Sequence, residues 1–231
     1  MKKIYFVTGI DTGTGKSVVT GLMARYLRSR GENAATLKMV QTGNDGGSED
    51  IEVHRRLMGV GELTEDRRGW SAPQIFKFPA SPHLAAALEG RKVDTGAILE
   101  GVRKMQERFD TILAEGAGGL AVPLTEELLT GDFVREQGWP VILVASDKLG
   151  SLNHTLLSLE FLRNRQMTLA GVVYNRFCGE DRRIGDDTGR MILKYLKRYG
   201  FPAKLAEVGK IDMERADSAE ADFGAIFGEE I

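Results

Sequence analysis

The fold of this chain is decided by nine residues near its amino terminus, GIDTGTGKS at positions 9–17. They match the pattern G-x-x-x-x-G-K-[ST], in which glycines let the backbone curl until successive N–H groups point at phosphate oxygens. Residues 3–8 before them are mostly apolar and predict a buried strand, and residues 17–30 after them have apolar side chains at helical spacing. Because a strand and a helix are the flanks that this loop requires, a phosphate-binding loop is favoured over a glycine-rich turn that binds nothing.

The residue types of this loop predict how it would hold a nucleotide. We expect Lys16 to reach the β- and γ-phosphates of ATP, and the hydroxyl of Ser17 to ligate Mg²⁺. Asp11 stands where partition-type ATPases carry a second lysine, so a partitioning or septum-positioning ATPase is disfavoured. The ATP-binding residues predicted in the loop are Asp11, Thr12, Gly13, Thr14, Gly15, Lys16 and Ser17.

Strand-like and helix-like segments alternate along the rest of the chain. Strands are predicted at 34–40, 111–114, 141–145, 169–174 and 205–208, and helices at 50–58, 84–88, 95–109, 151–165 and 187–199. Residues 59–82 have no convincing period. The alternation predicts an α/β fold of the P-loop NTPase type, with one domain over residues 1–231 and a mostly parallel central sheet flanked by helices on both faces. Residues 211–231 contain seven acids and one arginine, and predict a solvated helix or a frayed end.

The composition excludes several other classes of protein. Hydrophobic residues make up 42% of the 231, enough for a sizeable core, and the net charge of −2 leaves no basic surplus for nucleic acid or an anionic membrane. With no signal peptide or apolar span in the sequence, we expect a cytoplasmic protein. A single cysteine, Cys178, excludes an internal disulfide, and it is expected to be an inert loop thiol. The three histidines lack metal-like spacing and are expected to be structural or surface residues: His54, His83 and His154.

Three further segments place polar groups where ligands bind in α/β sheets. The apolar strand at 111–115 ends in Glu115, which we expect at Mg²⁺ rather than at a helix cap or the surface. Lys38 ends another strand, predicted to adjoin the strand of the phosphate loop, so a role in binding is favoured over a solvated lysine. Residues 150–153 begin a helix after a strand, and the free N–H groups there suit a carboxylate, although simple capping by Ser151 or Asn153 is compatible.

Five blocks of the sequence, in this order, together resemble the dethiobiotin synthetase family. They are the loop GIDTGTGKS at 9–17, KMVQTG at 38–43, SPH at 81–83, EGAGG at 115–119 and KLGSLNH at 148–154. The resemblance implies an enzyme that uses ATP and CO₂ to convert 7,8-diaminopelargonic acid to dethiobiotin, ADP and phosphate. One amine captures CO₂ as a carbamate, the carbamate takes the γ-phosphoryl group, and the second amine closes the cyclic urea and expels phosphate.

The resemblance also implies roles for individual residues. The catalytic residues would be Lys16, Lys38 and Thr12, with the two lysines flanking the carbamate and the γ-phosphate. Mg²⁺ would be held by Ser17, Asp50 and Glu115, with Asp45, Glu49 or Glu52 as alternatives to Asp50. The substrate would contact Thr42, Glu115, Gly118, Gly150, Ser151, Leu152 and Asn153, the last four supplied by the neighbouring subunit of a homodimer. Asn175 would bind adenine, or would be an ordinary turn asparagine.

Two other functions stay open at the level of sequence. The first is an amide-forming ligase domain of the cobyrinic-acid amide synthase type, which is disfavoured because such proteins carry a glutamine-hydrolysing domain with a nucleophilic cysteine. The second is a regulatory nucleotide-binding module without catalysis, against which the retained Lys16, Lys38, Thr42 and Glu115 argue. Beyond Asn175 the sequence departs from the family, because residues 206–212 lack the expected proline.

Overall fold

The computed structural model of the protein describes residues 2–177, 179, 181–214 and 221–228. Its strands are β1 Lys3–Gly9, β2 Ala34–Lys38, β3 Gln41–Thr42, β4 Ile75–Phe76, β5 Thr111–Glu115, β6 Val141–Ser146, β7 Leu169–Asn175 and β8 Leu205–Val208. Its helices are α1 Lys16–Ser29, α2 Glu49–Met58, α3 Thr64–Arg67, α4 Pro82–Leu88, α5 Thr95–Arg108, α6 Thr130–Gln137, α7 Ser151–Asn164, α8 Arg182–Tyr199 and α9 Gly224–Phe227. The predictions for Cys178 and for residues 215–220 and 229–231 of the tail lie outside the described residues.

Six of these strands form one parallel sheet in the order β2-β5-β1-β6-β7-β8. The predicted α/β fold with a parallel central sheet is therefore confirmed. The register pairs Lys38 on β2 with Glu115 on β5, and Glu115 with Val7 on β1. Because parallel strands end at the same edge, this register brings Lys38, Glu115 and the loop after β1 together. The expectation that β2 adjoins β1 was wrong, since β5 lies between them and Lys38 must reach across it.

Helices cover both faces of the sheet, as predicted. Along β1, Tyr5 and Val7 pack into one layer and Phe6 packs into the other, because successive side chains of a strand point to opposite faces. The first layer contains α1, α2 and α9, which contribute the buried side chains of Val19, Leu57 and Ile226. The second layer contains α5, α7 and α8, which contribute those of Met105, Leu159 and Ile192. Among the described helices, none has the length and apolar character needed to cross a membrane.

The structure differs from the sequence prediction in four segments. The stretch 59–82 is not wholly irregular, because it contains the single-turn helix α3 and the short strand β4, which pairs with β3. Helix α6 was not predicted, since glycine and polar residues obscure its apolar face. Helix α8 begins five residues earlier than predicted, at Arg182, where the side chain of Asp181 accepts a hydrogen bond from the N–H of Arg183.

The fourth difference lies in the acidic tail. Residues 221–228 are not a frayed end, because the aromatic side chains of Phe223 and Phe227 are buried, although some residues of this segment stay exposed. The ring centroid of Phe227 lies 5.4 Å from that of Tyr5, and that of Phe223 lies 5.8 Å from that of Tyr26, both in edge-to-face contacts. Apolar burial, rather than the charge of the segment, therefore determines where this part of the tail lies.

Candidate active site

The loop between β1 and α1 has the curled backbone that its glycines predict. Gly13 and Gly15 have φ values of 73° and 82°, in the left-handed region that glycine adopts without strain. A Cβ atom at Gly15 would overlap the side-chain amide nitrogen of Asn175, so this position also needs glycine for space. The Lys16 ammonium donates a hydrogen bond to the carbonyl oxygen of Asp11 at 2.8 Å, which folds the lysine over the loop.

A cavity of about 680 Å³ opens beside this loop, a volume within the usual range for small-molecule sites. It is lined by residues from the ends of β2 and β5, from α1 and α2, and from the loops around them. The predicted site residues among them are Thr12, Gly13, Gly15, Lys16, Ser17, Lys38, Thr42, Asp50, Glu115 and Gly118. Residues 79–82, from the stretch predicted to be irregular, form part of the wall, as does Met213 from the tail.

Two carboxylates and one lysine form a compact charged cluster on the floor of this cavity. The ammonium nitrogen of Lys38 lies 2.6 Å from Asp50 Oδ2, 2.8 Å from Glu115 Oε1 and 3.1 Å from the carbonyl oxygen of Gly116. The Ser17 hydroxyl lies 2.6 Å from Asp50 Oδ1 and 3.0 Å from Glu115 Oε1. Among the four acids that the sequence left open, Asp50 is the one in this cluster, whereas Asp45 forms an exposed ion pair with Lys77.

Burial and neighbouring charges shift the pKa values of three ionisable groups in the cavity, Lys16, Lys38 and Glu115. Burial, with the nearby Lys38 ammonium, lowers the pKa of Lys16 to about 8. For Lys38, burial alone would lower the pKa, but the carboxylates of Glu115 and Asp50 outweigh it, and the net shift is upward. For Glu115, burial alone would raise the pKa, but Lys38 and a hydrogen bond from His54 hold the pKa well below its usual range. Lys38 and Glu115 are therefore an ion pair at neutral pH.

Comparison with known proteins shows the family to which the chain belongs. A family model described as "AAA domain" matches residues 3–216. The ATP-dependent dethiobiotin synthetase BioD of Chlorobaculum tepidum is 48% identical over 199 residues, which cover 86% of this chain and 83% of that protein. BioD 2 of Pasteurella multocida, also an ATP-dependent dethiobiotin synthetase, is 43% identical over 208 residues, which cover 90% of this chain and 97% of that protein. The chain belongs to the dethiobiotin synthetase family.

Membership of the dethiobiotin synthetase family confirms the resemblance drawn from the five sequence blocks. A solved structure of lower similarity supports the fold. The cell division protein FtsY of Thermotoga maritima superposes with a TM-score of 0.55 at 15% identity, over 98% of this chain and 67% of that one. At that identity the likeness concerns the P-loop α/β architecture alone.

Several residues that the family resemblance assigned to the site do not line the cavity of their own chain. Asn175 is buried behind the phosphate loop, where its amide donates a hydrogen bond to the carbonyl oxygen of Thr14 at 3.0 Å. The segment 150–153 lies at the start of α7, where the Ser151 hydroxyl donates to the carbonyl oxygen of Ser146. The carboxylate of Asp11 points away from the cavity, toward the imidazole of His154 at 3.9 Å.

The sequence analysis missed one side chain that contacts the charged cluster from the protein interior. His54, expected to be structural or at the surface, is fully buried, and its Nε2 lies 2.9 Å from Glu115 Oε2. A signal was present in the sequence, because His54 follows Asp50 by four residues and so lies on the same face of α2. That signal could be used only once Asp50 itself was placed.

Proposed function

We propose that the protein catalyses the ATP-dependent ring closure of 7,8-diaminopelargonic acid with CO₂, giving dethiobiotin, ADP and phosphate. The observation that carries the proposal is the convergence of Lys16, Lys38 and Glu115 on one cavity at the phosphate loop, in a chain that is 48% identical to an ATP-dependent dethiobiotin synthetase. Such a cavity can bind a triphosphate and a second anion side by side.

The proposed reaction has three bond-forming steps. One amine of the diamine attacks the carbon of CO₂, and a carbamate forms with release of a proton. A carbamate oxygen then attacks the γ-phosphorus, the bond to the β-phosphate oxygen breaks, and ADP leaves. The second amine attacks the carbonyl carbon of the mixed carbamic–phosphoric anhydride, which closes the cyclic urea and expels phosphate with loss of a second proton.

The lysines around the cavity neutralise the negative charge that builds up during these steps, and the threonines stabilise it by hydrogen bonding. Lys16 would leave the carbonyl of Asp11 and donate to the γ-phosphate, and Lys38 would turn one of its three donors to the carbamate. Thr12 and Thr42 line the same space and would add hydrogen bonds to these anions. In phosphoryl transfer, positioning and charge neutralisation supply most of the rate enhancement, so no nucleophile from the protein is required.

The charged cluster also suits Mg²⁺, which prefers oxygen ligands. Ser17, Asp50 and Glu115 present a hydroxyl and two carboxylates within hydrogen-bond distance of one another, so they would hold the ion directly or through water. When bound, Mg²⁺ would neutralise charge on the β- and γ-phosphates. The remaining loop residues, Gly13 to Gly15, would present backbone N–H groups to the phosphates, and Asn175 would border the adenine.

We further propose that the protein acts as a cytoplasmic homodimer in which residues 150–153 complete the neighbouring site. The segment does not line the cavity of its own chain, although free N–H groups at the start of α7 suit the carboxylate of the diamine. Leu149 and Leu157 near it are 79% and 61% exposed, and a second copy that covered this part of the surface would bury both side chains. Analytical ultracentrifugation tests this, and a monomer at micromolar concentration would refute it.

The reaction is tested by incubating the purified protein with Mg²⁺, ATP, bicarbonate and the diamine, and measuring dethiobiotin by mass spectrometry. Omitting any one component should abolish the product, and Lys16→Gln should remove most of it. ATP turnover that depends on an amide donor and a carboxylic acid, without dethiobiotin, would favour the amide-forming ligase. Tight ATP binding without turnover under any of these conditions would favour the regulatory module.

A further inference from the structure

A line of buried hydrogen bonds runs from α3 to Glu115 through residues that the proposed reaction does not use. Its centre is His54 on α2, whose Nε2 lies 2.9 Å from Glu115 Oε2 and whose Nδ1 lies 3.0 Å from the hydroxyl of Thr36 on β2. Both His54 and Thr36 are fully buried. The hydroxyl of Thr36 is in turn 2.8 Å from Nη1 of Arg55, the residue after His54.

The far end of this line is firmly held. The Nε and Nη2 atoms of Arg55 donate to the two carboxylate oxygens of Asp66 at 2.9 and 2.7 Å, a bidentate pair. Asp66 also accepts hydrogen bonds from the hydroxyl of Ser71 at 2.6 Å and from the backbone N–H of Leu63 at 2.8 Å. The guanidinium plane is therefore fixed, and its Nη1 is directed at Thr36.

The chemistry of these groups decides which of them donate and which accept the hydrogen bonds along this line. The ionised carboxylate of Glu115 can only accept, so Nε2 of His54 carries a ring proton and donates to Oε2. In the neutral ring Nδ1 is then the acceptor, and the hydroxyl of Thr36 donates to it while its oxygen accepts from Arg55, which can only donate. Thr36, held by Arg55, thus supports the histidine tautomer that binds the carboxylate.

The two oxygens of Glu115 are consequently divided between the interior and the cavity. Oε2 accepts from His54, whereas Oε1 lies 2.8 Å from the ammonium of Lys38 and 3.0 Å from the hydroxyl of Ser17. The terminal torsion of a glutamate is broad, so a carboxylate bound through one oxygen alone can turn. A partner on each oxygen fixes its plane.

We propose that His54 is a positioning residue, which holds one oxygen of Glu115 in the protein interior so that the other is presented to the metal and to Lys38. The inference rests on the proposed function only in taking Glu115 as a metal ligand. Hydrogen-bond partners behind metal ligands commonly change metal affinity by about 10- to 100-fold when they are removed. The line from Arg55 through Thr36 extends this support to residues that touch neither metal nor substrate.

The test compares variants along the line by their affinity for Mn²⁺, used as a spectroscopic substitute for Mg²⁺. Free Mn²⁺ is measured by electron paramagnetic resonance in the presence of the full-length protein and a non-hydrolysable ATP analogue. We expect His54→Leu to weaken Mn²⁺ binding by about tenfold or more, and His54→Gln, which keeps a donor on the side chain, to recover part of the loss. Thr36→Val should weaken binding in the same direction, because it removes the hydroxyl that donates to Nδ1.

A matched control separates positioning from general damage to the sheet. Thr111→Val makes the same substitution at a buried threonine at the opposite end of β5 from Glu115, and it should leave Mn²⁺ affinity unchanged. In the dethiobiotin assay, the variants at 54 and 36 should need more Mg²⁺ for half-maximal rate but approach the wild-type kcat at saturating Mg²⁺.

The outcomes distinguish this inference from the proposed function. Wild-type Mn²⁺ affinity in folded Thr36→Val and His54→Leu, within twofold, would overturn the positioning role. If His54→Leu does not fold, the comparison of Thr36→Val with Thr111→Val decides the question by itself. Weakened Mn²⁺ binding in a protein that makes no dethiobiotin would support the role of His54 and refute the proposed reaction.

Discussion

Replacing Lys38 with methionine should destabilise the ligand-free protein, and Mg²⁺ should reverse much of the loss. The side chain of Lys38 is almost fully buried, and its ammonium pairs with both Asp50 and Glu115. Methionine keeps the apolar stem but leaves two carboxylates close together without the ammonium that pairs with both of them. Breaking a buried ion pair by removing one partner destabilises a protein by about 3–5 kcal/mol.

The expected size of the effect lies at the lower end of that range. The Asp50 side chain is 24% exposed, and His54 and Ser17 still donate to Glu115, so we expect a loss of about 3 kcal/mol in the free energy of unfolding. For a chain of 231 residues, this corresponds to a fall in Tm of about 6–12 °C. The assay is thermal unfolding followed by circular dichroism, with and without Mg²⁺ and in the absence of nucleotide.

Mg²⁺ separates this explanation from simple damage to the core. In Lys38→Met the cation can occupy the carboxylates without competition from an ammonium, so about 10 mM Mg²⁺ should restore more than half of the lost Tm through binding to the folded state. The wild type should gain little. Lys77→Met, at an exposed ion pair, is the control and should shift Tm by less than about 2 °C. A Tm loss that is equal at every Mg²⁺ concentration would refute the reasoning.

Three further predictions concern the phosphate loop and the support behind the site. Gly15→Ala should lower the free energy of unfolding and the affinity for ATP more than Gly13→Ala does. Both substitutions add about 1–2 kcal/mol of left-handed backbone strain, but only the one at position 15 also overlaps the side chain of Asn175. Equal losses in urea unfolding and in ATP titration would contradict this. Burial lowers the pKa of Lys16 to about 8, and the negative charge of a bound phosphate would raise that pKa again. ATP binding should therefore be coupled to the uptake of roughly 0.8 proton at pH 9 and almost none at pH 6. Calorimetry in buffers of different ionisation enthalpy measures the proton uptake, and an uptake that does not depend on pH would count against this assignment. Burial alone would raise the pKa of Asp66, but the Arg55 guanidinium holds that pKa below the ordinary 3.8. The ionised Asp66 therefore stabilises the protein above pH 4, and this contribution is lost as the pH falls further. The difference in the free energy of unfolding between wild type and Asp66→Asn, measured in urea, should shrink from pH 6 to pH 3, and a constant difference would exclude this linkage.

The phosphate loop and the parallel sheet could be predicted from sequence because their signals are local. A glycine-rich loop must have a strand before it and a helix after it, and the continuous apolar run of β6 fits a strand buried on both faces. The order of the strands is not a local property, and the sequence contains no spacing that would place β5 between β1 and β2. That is why the expected neighbourhood of Lys38 was wrong although the lysine does reach the cavity.

The same distinction between local and non-local signals applies to the residues of the site. Residues carried by short motifs, such as Lys16, Ser17 and Glu115, were found because the motif itself fixes where they lie. Asp50 was ambiguous among nearby acids until α2 was known, because neighbouring residues of a helix point about 100° apart and only the placement of the helix decides which acid faces the cavity. His54 was missed because its partner, Glu115, is 61 residues away in the sequence, and only the folded structure brings them together.

The strand order has a consequence for how the chain is made. Of the six strands in the sheet, β1 is synthesised first, yet in the finished sheet it lies between β5 and β6, which begin at residues 111 and 141. The ribosome must therefore extend the chain to Ser146, the end of β6, before β1 has both of its neighbours. Until then at least one edge of β1 has no neighbouring strand, and unpaired strand edges make an incomplete chain prone to aggregation.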